Sequence, residues 1–102
     1  MTSMQSTSLP GKERLILDLL VAHGPSYGLA LVRQAGGALK RGTVYVTLGR
    51  MEARGLVVSE QEPLTPGAIG LPRRVYRATG LGERALRAWA AFASELAVEV
   101  PS

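Results

Sequence analysis

The segment GTVYVTLGRMEARGLVVSE, residues 42–60, constrains the fold most, because a short helix in it runs directly into a strand. Val44, Leu48 and Met51 recur at i, i+4 and i+7 and therefore share one helical face. Gly55 stands where a left-handed C-terminal cap would end the helix. One face of this helix is therefore expected to pack on a core, and the chain to enter a strand soon afterwards.

The opposite face of the same helix is small and nearly uncharged. It carries Gly42, Thr43, Val46, Gly49, Arg50 and Ala53, with Tyr45, Thr47 and Arg54 on its flanks. A slim face with one cation can approach a large polyanion closely, which favours a DNA-recognition helix over an ordinary solvated surface. Arg50 could contact guanine O6 and N7, while Thr43 and Val46 could meet a thymine methyl group. We expect these three residues to read bases.

The positive charge of the chain lies in its middle. The 102 residues include 12 Lys and Arg against 8 Asp and Glu, a net charge of +4, and seven of the basic but only three of the acidic residues lie between positions 40 and 77. Such a surface attracts phosphate. We expect contacts to the DNA backbone from Lys40, Arg41, Tyr45, Thr47, Arg73 and Arg74. For Tyr45, a packed ring with an exposed hydroxyl is an equally frequent alternative.

The order of the predicted elements indicates a winged helix-turn-helix. A first helix is expected over residues 11–23, and a second, capped by Ser26, is expected to end at Gly36 and Gly37. After the recognition helix, residues 56–62 and 73–78 are predicted strands, joined by a long loop rich in Pro and Gly. The predicted class is mainly α with a small β-hairpin, with the DNA-binding domain at residues 11–78 and a flexible arm at 1–10.

Residues 79–102 are predicted to form a dimerisation helix capped by Thr79. Its apolar residues Leu86, Trp89, Ala93, Leu96 and Val100 follow a spacing of 3, 4, 3 and 4, which is typical of a helix that meets another helix. Two heptads are too few for an independent coiled coil, so we expect this helix to pack on the first helix of a partner subunit. The predicted dimer interface comprises Leu15, Leu19, Leu86, Trp89, Phe92, Ala93 and Leu96.

Composition argues against several other classes of protein. The chain has no cysteine and a single histidine, so neither a disulfide framework nor a zinc site is expected, and no cofactor is predicted. The acidic residues are scattered, and no nucleophile with a positioned base and no phosphate loop is recognisable, which argues against an enzyme. Neither a membrane span of ~18 apolar residues nor a secretory signal is recognisable. A cytoplasmic location is expected.

Three segments carry a resemblance to a known family. ILDLLVAHGPSYGLALV, GTVYVTLGRMEARGLV and RRVYRATGLGERAL, which together span roughly residues 14–88, resemble the PadR family of bacterial and archaeal transcriptional regulators. The resemblance implies a homodimer in which the C-terminal helices embrace the partner, and repression of genes, often in response to phenolic or other hydrophobic compounds. It also implies a possible ligand site at Trp89 and Phe92, since some multidrug-responsive relatives use a tryptophan of this helix; core packing at the dimer interface is the favoured alternative.

The chain departs from the family pattern at two positions. Tyr45 is followed by Val46, where the family usually has proline, and Leu29 stands where a second aromatic residue is common after Tyr27 and Gly28. The single C-terminal helix resembles the compact branch of the family. The expected function is a homodimeric DNA-binding repressor that binds a pseudo-palindromic operator. A winged-helix module that binds another protein remains the alternative, because the slim helix face would also suit helix packing.

Overall fold

A computed structural model describes residues 9–63, 67 and 73–99, with side chains as far as Glu95. In chain order the elements are α1 (Gly11–His23), β1 (Ser26–Tyr27), α2 (Gly28–Ala35), α3 (Arg41–Ala53), β2 (Val57–Gln61), β3 (Arg74–Ala78) and α4 (Gly80–Glu99). The predicted class, mainly helical with a small antiparallel sheet, is confirmed. Most of the predicted N-terminal arm and most of the loop between β2 and β3 lie outside the described residues.

The sheet has three antiparallel strands in the order β1-β3-β2. Strands β2 and β3 pair from Val57 opposite Ala78 to Gln61 opposite Arg74, as the hairpin prediction required. Strand β1 was not predicted, because two residues are too short to show an alternating pattern. The predicted cap at Ser26 is wrong: Ser26 pairs with β3 and its hydroxyl donates to the Gly24 carbonyl, while α2 begins at Gly28 without a side-chain cap.

Helix α3 places its apolar face in the core as predicted. Val44, Leu48 and Met51 are fully buried, and Gly55, with φ of 80°, reverses the chain after the helix. The core joins all helices and the sheet, because burying one face of each short element requires every other element as a partner. The buried apolar residues are Leu9, Ile16, Leu17, Leu20, Leu31, Leu39, Val44, Leu48, Met51, Leu56, Val57 and Tyr76.

Thr79 caps α4, as the sequence predicted. Its hydroxyl oxygen accepts the Gly82 N–H at 3.0 Å and donates to the Gly55 carbonyl at 2.6 Å. The backbone of α4 approaches the start of β2 so closely that a Cβ atom at Gly82 would collide with the Leu56 carbonyl oxygen. These contacts fix the first turn of α4 on the winged domain.

The first half of α4 packs on α1 of the same chain. Leu15 and Leu19 of α1 and Leu86 and Trp89 of α4 are partly buried against the core. The spacing of these four side chains predicts contacts with a partner subunit, but the fold uses part of their surface within the chain. Further along, Ala93 is half-buried and Phe92 is 50% exposed, while the side chain of Leu96 lies outside the described residues.

Candidate nucleic-acid interface

The outward face of α3 is slim and exposed along its whole length. Thr43, Val46 and Arg50, the predicted base-reading residues, all lie on it, and Val46 is 55% exposed. The Thr43 hydroxyl donates to the Lys40 carbonyl at the start of the helix, at 3.4 Å. A Cβ atom at Gly49 would meet nothing within 4 Å. A large partner can therefore approach this face closely.

The two flanking residues of α3 differ in their surroundings. Thr47 is 8% exposed and its hydroxyl donates to the Thr43 carbonyl at 3.0 Å, so it turns back onto the helix. The Thr47 hydroxyl is thus engaged within α3, and we do not propose it as a DNA-backbone contact. The Tyr45 ring lies against α2 at Gly28, where a Cβ atom would come within 2.6 Å of Tyr45 Cε1. Tyr45 is thus packed on α2 through its ring yet remains 48% exposed.

The C-terminal end of α3 is tied to α1 by an ion pair. Arg54 Nη1 lies 2.7 Å from Glu13 Oε1, and the Glu13 side chain is 7% exposed whereas that of Arg54 is 48% exposed. Among the described residues this is the one salt bridge. A nearly buried carboxylate needs a partner, so the pair constrains where the end of α3 sits on α1.

A second set of hydrogen bonds joins α3 to the hairpin. The Glu52 carboxylate accepts the Ser59 N–H at 3.1 Å and the Ser59 hydroxyl at 2.9 Å. The Ser59 oxygen in turn accepts Arg74 Nη1 at 3.0 Å. Beside them, burial, with a smaller contribution from Glu52, raises the pKa of the Tyr76 hydroxyl. The hairpin and its Arg74 are therefore held in a fixed relation to α3.

The base of the wing is also tied to β1. The Tyr27 hydroxyl donates to the Glu62 carboxylate at 2.8 Å, and the Arg73 guanidinium lies 4.9 Å from the centre of the Tyr27 ring. The hydrogen bond to Glu62 is the main reason that the pKa of Tyr27 is raised, which keeps the hydroxyl protonated as a donor. This cluster depends on β1, so sequence patterns could not have predicted it.

These elements enclose an open cleft of about 670 Å³ between α2, α3 and the base of the wing. Three of the predicted backbone-contact residues, Tyr45, Arg73 and Arg74, meet there, whereas Lys40 and Arg41 lie at the start of α3 outside the cleft. Arg33 of α2 also lines it and was missed, although its spacing of four from Leu29 places both on one helical face. The lining residues are Tyr27, Leu29, Ala30, Arg33, Tyr45, Arg73, Arg74 and Tyr76.

Trp89 and Phe92, the predicted ligand residues, are in contact with each other. Their ring centres lie 5.9 Å apart and the rings are tilted by 45°. The Arg14 guanidinium of α1 lies 5.2 Å from the centre of the Trp89 ring. Trp89 is therefore covered on one side by its own chain, and Phe92 is the more accessible of the two.

Other kinds of site find little support in the described part of the chain. There, no group of three or more His, Cys, Asp or Glu side chains is arranged to hold a metal ion. The helices described include none with the length and apolar character needed to cross a membrane.

Comparison with known proteins identifies a family and a related regulator. Residues 16–88 match the transcriptional regulator PadR-like family. The transcriptional regulator Rv3488 of Mycobacterium tuberculosis is 48% identical over 65 residues, which cover 64% of this chain and 57% of that protein. The match thus extends over little more than half the length of the relative.

Solved structures share the fold. A PadR family regulator from Eggerthella lenta has 33% sequence identity and a TM-score of 0.69 over 82% of this chain and 72% of its own. A PadR-like transcription factor from Bacteroides fragilis has 28% identity and a TM-score of 0.70, covering 93% of this chain and 88% of its own. Bacillus subtilis PadR in complex with operator DNA is 18% identical. Its TM-score is 0.69 over 81% of this chain and 48% of its own. The chain belongs to the PadR-like family of transcriptional regulators.

Proposed function

We propose that this chain is a sequence-specific DNA-binding regulator that represses genes as a homodimer. The observation that carries the proposal is the slim, exposed face of α3, with Arg50 in its last turn and arginines at the adjoining base of the wing. The structure of Bacillus subtilis PadR with operator DNA supports the choice of partner, because that protein shares this fold. We expect the protein to act in the cytoplasm, where bacterial and archaeal DNA is found.

In the proposed complex, two recognition helices enter successive major grooves of a pseudo-palindromic operator, roughly 34 Å apart. Thr43, Val46 and Arg50 read base edges. The backbone contacts come from Lys40, Arg41, Arg73 and Arg74, together with the Tyr45 hydroxyl, and supply most of the affinity. Because Val46 replaces the usual proline after Tyr45, a valine side chain is available to contact a thymine methyl group.

The role of Arg50 can be tested by comparing operator with random DNA. Arg50→Ala should reduce operator affinity by the ~1–3 kcal/mol of a bidentate base contact while leaving random duplex binding nearly unchanged. Arg41→Ala is the matched control, since loss of a phosphate contact should weaken binding to both duplexes. Equal losses on both duplexes for Arg50→Ala would identify Arg50 as a backbone contact and contradict the assignment.

The wing base is tested by the salt dependence of binding. If Arg73 and Arg74 each neutralise a phosphate, replacing both by Ala should make the slope of log K against log salt concentration shallower by about 2. An unchanged slope would remove the wing base from the interface.

The proposed effector site is the Trp89–Phe92 pair, where the two subunits could hold a flat apolar ligand between them. Trp89 is the only tryptophan of the chain, so planar aromatic compounds that bind there should quench its fluorescence and reduce operator binding. Phe92→Ala should abolish both effects. Quenching that persists in this variant, or that leaves operator binding unchanged, would argue against an effector at this site.

The protein-interaction alternative gives a different result in the same assays. The slim face of α3 could dock a helix as well as a DNA groove. A DNA-binding surface should bind random duplex at micromolar concentrations at low salt. Absence of any binding to duplex DNA under these conditions would reject the proposed function and favour a protein partner.

A further inference from the structure

The cleft beside α3 has a composition that the contacts proposed above do not explain. Two of its arginines belong to the wing base, but Arg33 lies on α2, and the walls between them are aromatic and aliphatic. We infer that this cleft seats the sugar–phosphate backbone of one DNA strand, with Arg33 as a phosphate contact. The inference rests on the proposed function and adds a binding surface, on α2, that lies off the recognition helix.

The size and lining of the cleft suit a backbone segment. Its volume of about 670 Å³ is in the range of sites that hold molecules of nucleotide size. The rings of Tyr27 and Tyr45 and the side chain of Leu29 offer apolar surface for a deoxyribose. Arginine, with its planar set of donors, suits the phosphate oxygens.

The electrostatics of the cleft favour an anion. Among the described residues, three arginines and no acidic residue line it. Two acidic groups lie beside the cleft: Glu62 accepts from the Tyr27 hydroxyl, and Glu52 accepts from Ser59. The surface thus presents net positive charge in a concave site, where low-dielectric walls strengthen the attraction of phosphate.

Arg33 has the greatest freedom of the three arginines. Arg73 stacks on the Tyr27 ring and Arg74 donates to Ser59, whereas the Arg33 side chain is exposed and makes no hydrogen bond or ion pair within the described residues. Since a guanidinium has five N–H donors, Arg73 and Arg74 can still bind phosphate in addition to their present contacts. Arg33 can reorient fully towards a ligand.

The position of the cleft indicates which DNA strand it would hold. Tyr45 forms one wall of the cleft and also flanks the outward face of α3. A strand seated in the cleft therefore borders the groove that α3 enters. Arg33 would hold this strand from the side of α2 while Arg73 and Arg74 hold it from the side of the wing, which fixes how deeply α3 reaches into the groove.

The test compares Arg33→Ala with Arg87→Ala in binding to a short duplex of random sequence over a salt series. Arg87 is exposed on α4, outside the cleft, so the control removes the same charge elsewhere. Loss of one phosphate contact should make the slope of log K against log salt shallower by about 0.9 for Arg33→Ala, so that the drop in affinity between 50 and 200 mM salt shrinks roughly threefold. Arg33→Lys should keep most of the slope, and Arg87→Ala all of it.

The outcomes separate this inference from the proposed function. If the unaltered protein binds duplex DNA and Arg33→Ala retains its full slope, the cleft does not seat a strand, although the proposed function stands. Equal changes for Arg33→Ala and Arg87→Ala would also overturn the inference, because they would reflect net charge alone. If the unaltered protein fails to bind duplex, the proposed function itself fails. Circular dichroism melting of each variant establishes that the fold is intact.

Discussion

Two glycines of this chain have opposite surroundings, and the difference shows what a single Cβ atom does in each place. Gly82 lies in the first turn of α4, where an added Cβ would collide with the Leu56 carbonyl oxygen and lie 3.0 Å from Leu17 Cδ2. Gly49 lies in the middle of α3, with no atom within 4 Å of an added Cβ. Crowding by the backbone thus requires glycine at position 82, whereas Gly49 leaves the exposed face of α3 without a side chain.

Gly82→Ala should lower the free energy of unfolding by about 1–3 kcal/mol, the usual cost of overpacking, because a backbone carbonyl cannot move aside as a flexible side chain can. Gly49→Ala serves as the control. It should raise the stability by about 0.5–1 kcal/mol, since alanine loses less conformational freedom in a helix. Urea denaturation measures both. Equal stability of the two variants would contradict the close approach of α4 to β2.

At the same scale, periodicity predicted which side chains of α3 are buried better than it predicted the surroundings of the two flanking residues. Val44, Leu48 and Met51 follow from spacing alone, because a helix places i, i+4 and i+7 on one side. Tyr45 and Thr47 could not be assigned in this way. Tyr45 packs because Gly28 of another helix leaves room for its ring, and Thr47 bonds back to its own helix. Both outcomes depend on local contacts that a helical wheel does not contain.

The helices and the hairpin could be predicted because each one carries its own signal along the chain. Helix α1 has the predicted bounds, and the glycine after α3 ends it as expected. The strand β1 could not be predicted, since its two residues become a strand only by pairing with Tyr76 and Val75, far along the chain. With β1 unknown, the Tyr27 cluster and the cleft that it borders were also unpredictable.

The ion pair between α1 and the end of α3 is the contact most open to test at the scale of elements. Arg54→Ala would leave the nearly buried Glu13 carboxylate without its partner, which should cost about 1–2 kcal/mol of stability, because Arg54 itself is half-exposed and water can partly replace it. Arg50→Ala, on the exposed face of the same helix, should change stability by less than about 0.5 kcal/mol.

A double-mutant cycle distinguishes the pair from the loss of a long side chain. With Glu13→Gln in place, no buried charge is left without its partner. The further change Arg54→Ala should therefore cost less stability than it does in the unaltered chain. Thermal or urea unfolding supplies the four stabilities. If Arg54→Ala costs the same in both backgrounds, the ion pair contributes nothing measurable to the position of α3.

At the scale of the whole molecule, α4 packs on its own chain and is proposed to pack on a partner subunit, and sequence spacing could not separate these two roles. Its seam of Leu86, Trp89 and Ala93 was attributed to a partner subunit, yet Leu86 and Trp89 already pack on the core of their own chain. A single periodic stripe looks the same whether its partner is internal or external. What distinguishes the second half of the helix is the exposed Phe92 ring beside Trp89.

We therefore expect the proposed homodimer to depend on Phe92. Phe92→Asp places a charge where two apolar helix faces would meet, and an unpaired charge there is costly to desolvate, so the variant should be monomeric. Ala91→Asp is the matched control, because it puts the same residue one position earlier on an exposed part of the same helix and away from the seam. Sedimentation equilibrium should show a dimer for the unaltered chain and for Ala91→Asp but a monomer for Phe92→Asp. A monomeric unaltered chain, or the same association state for both variants, would contradict a dimer built on this half of α4.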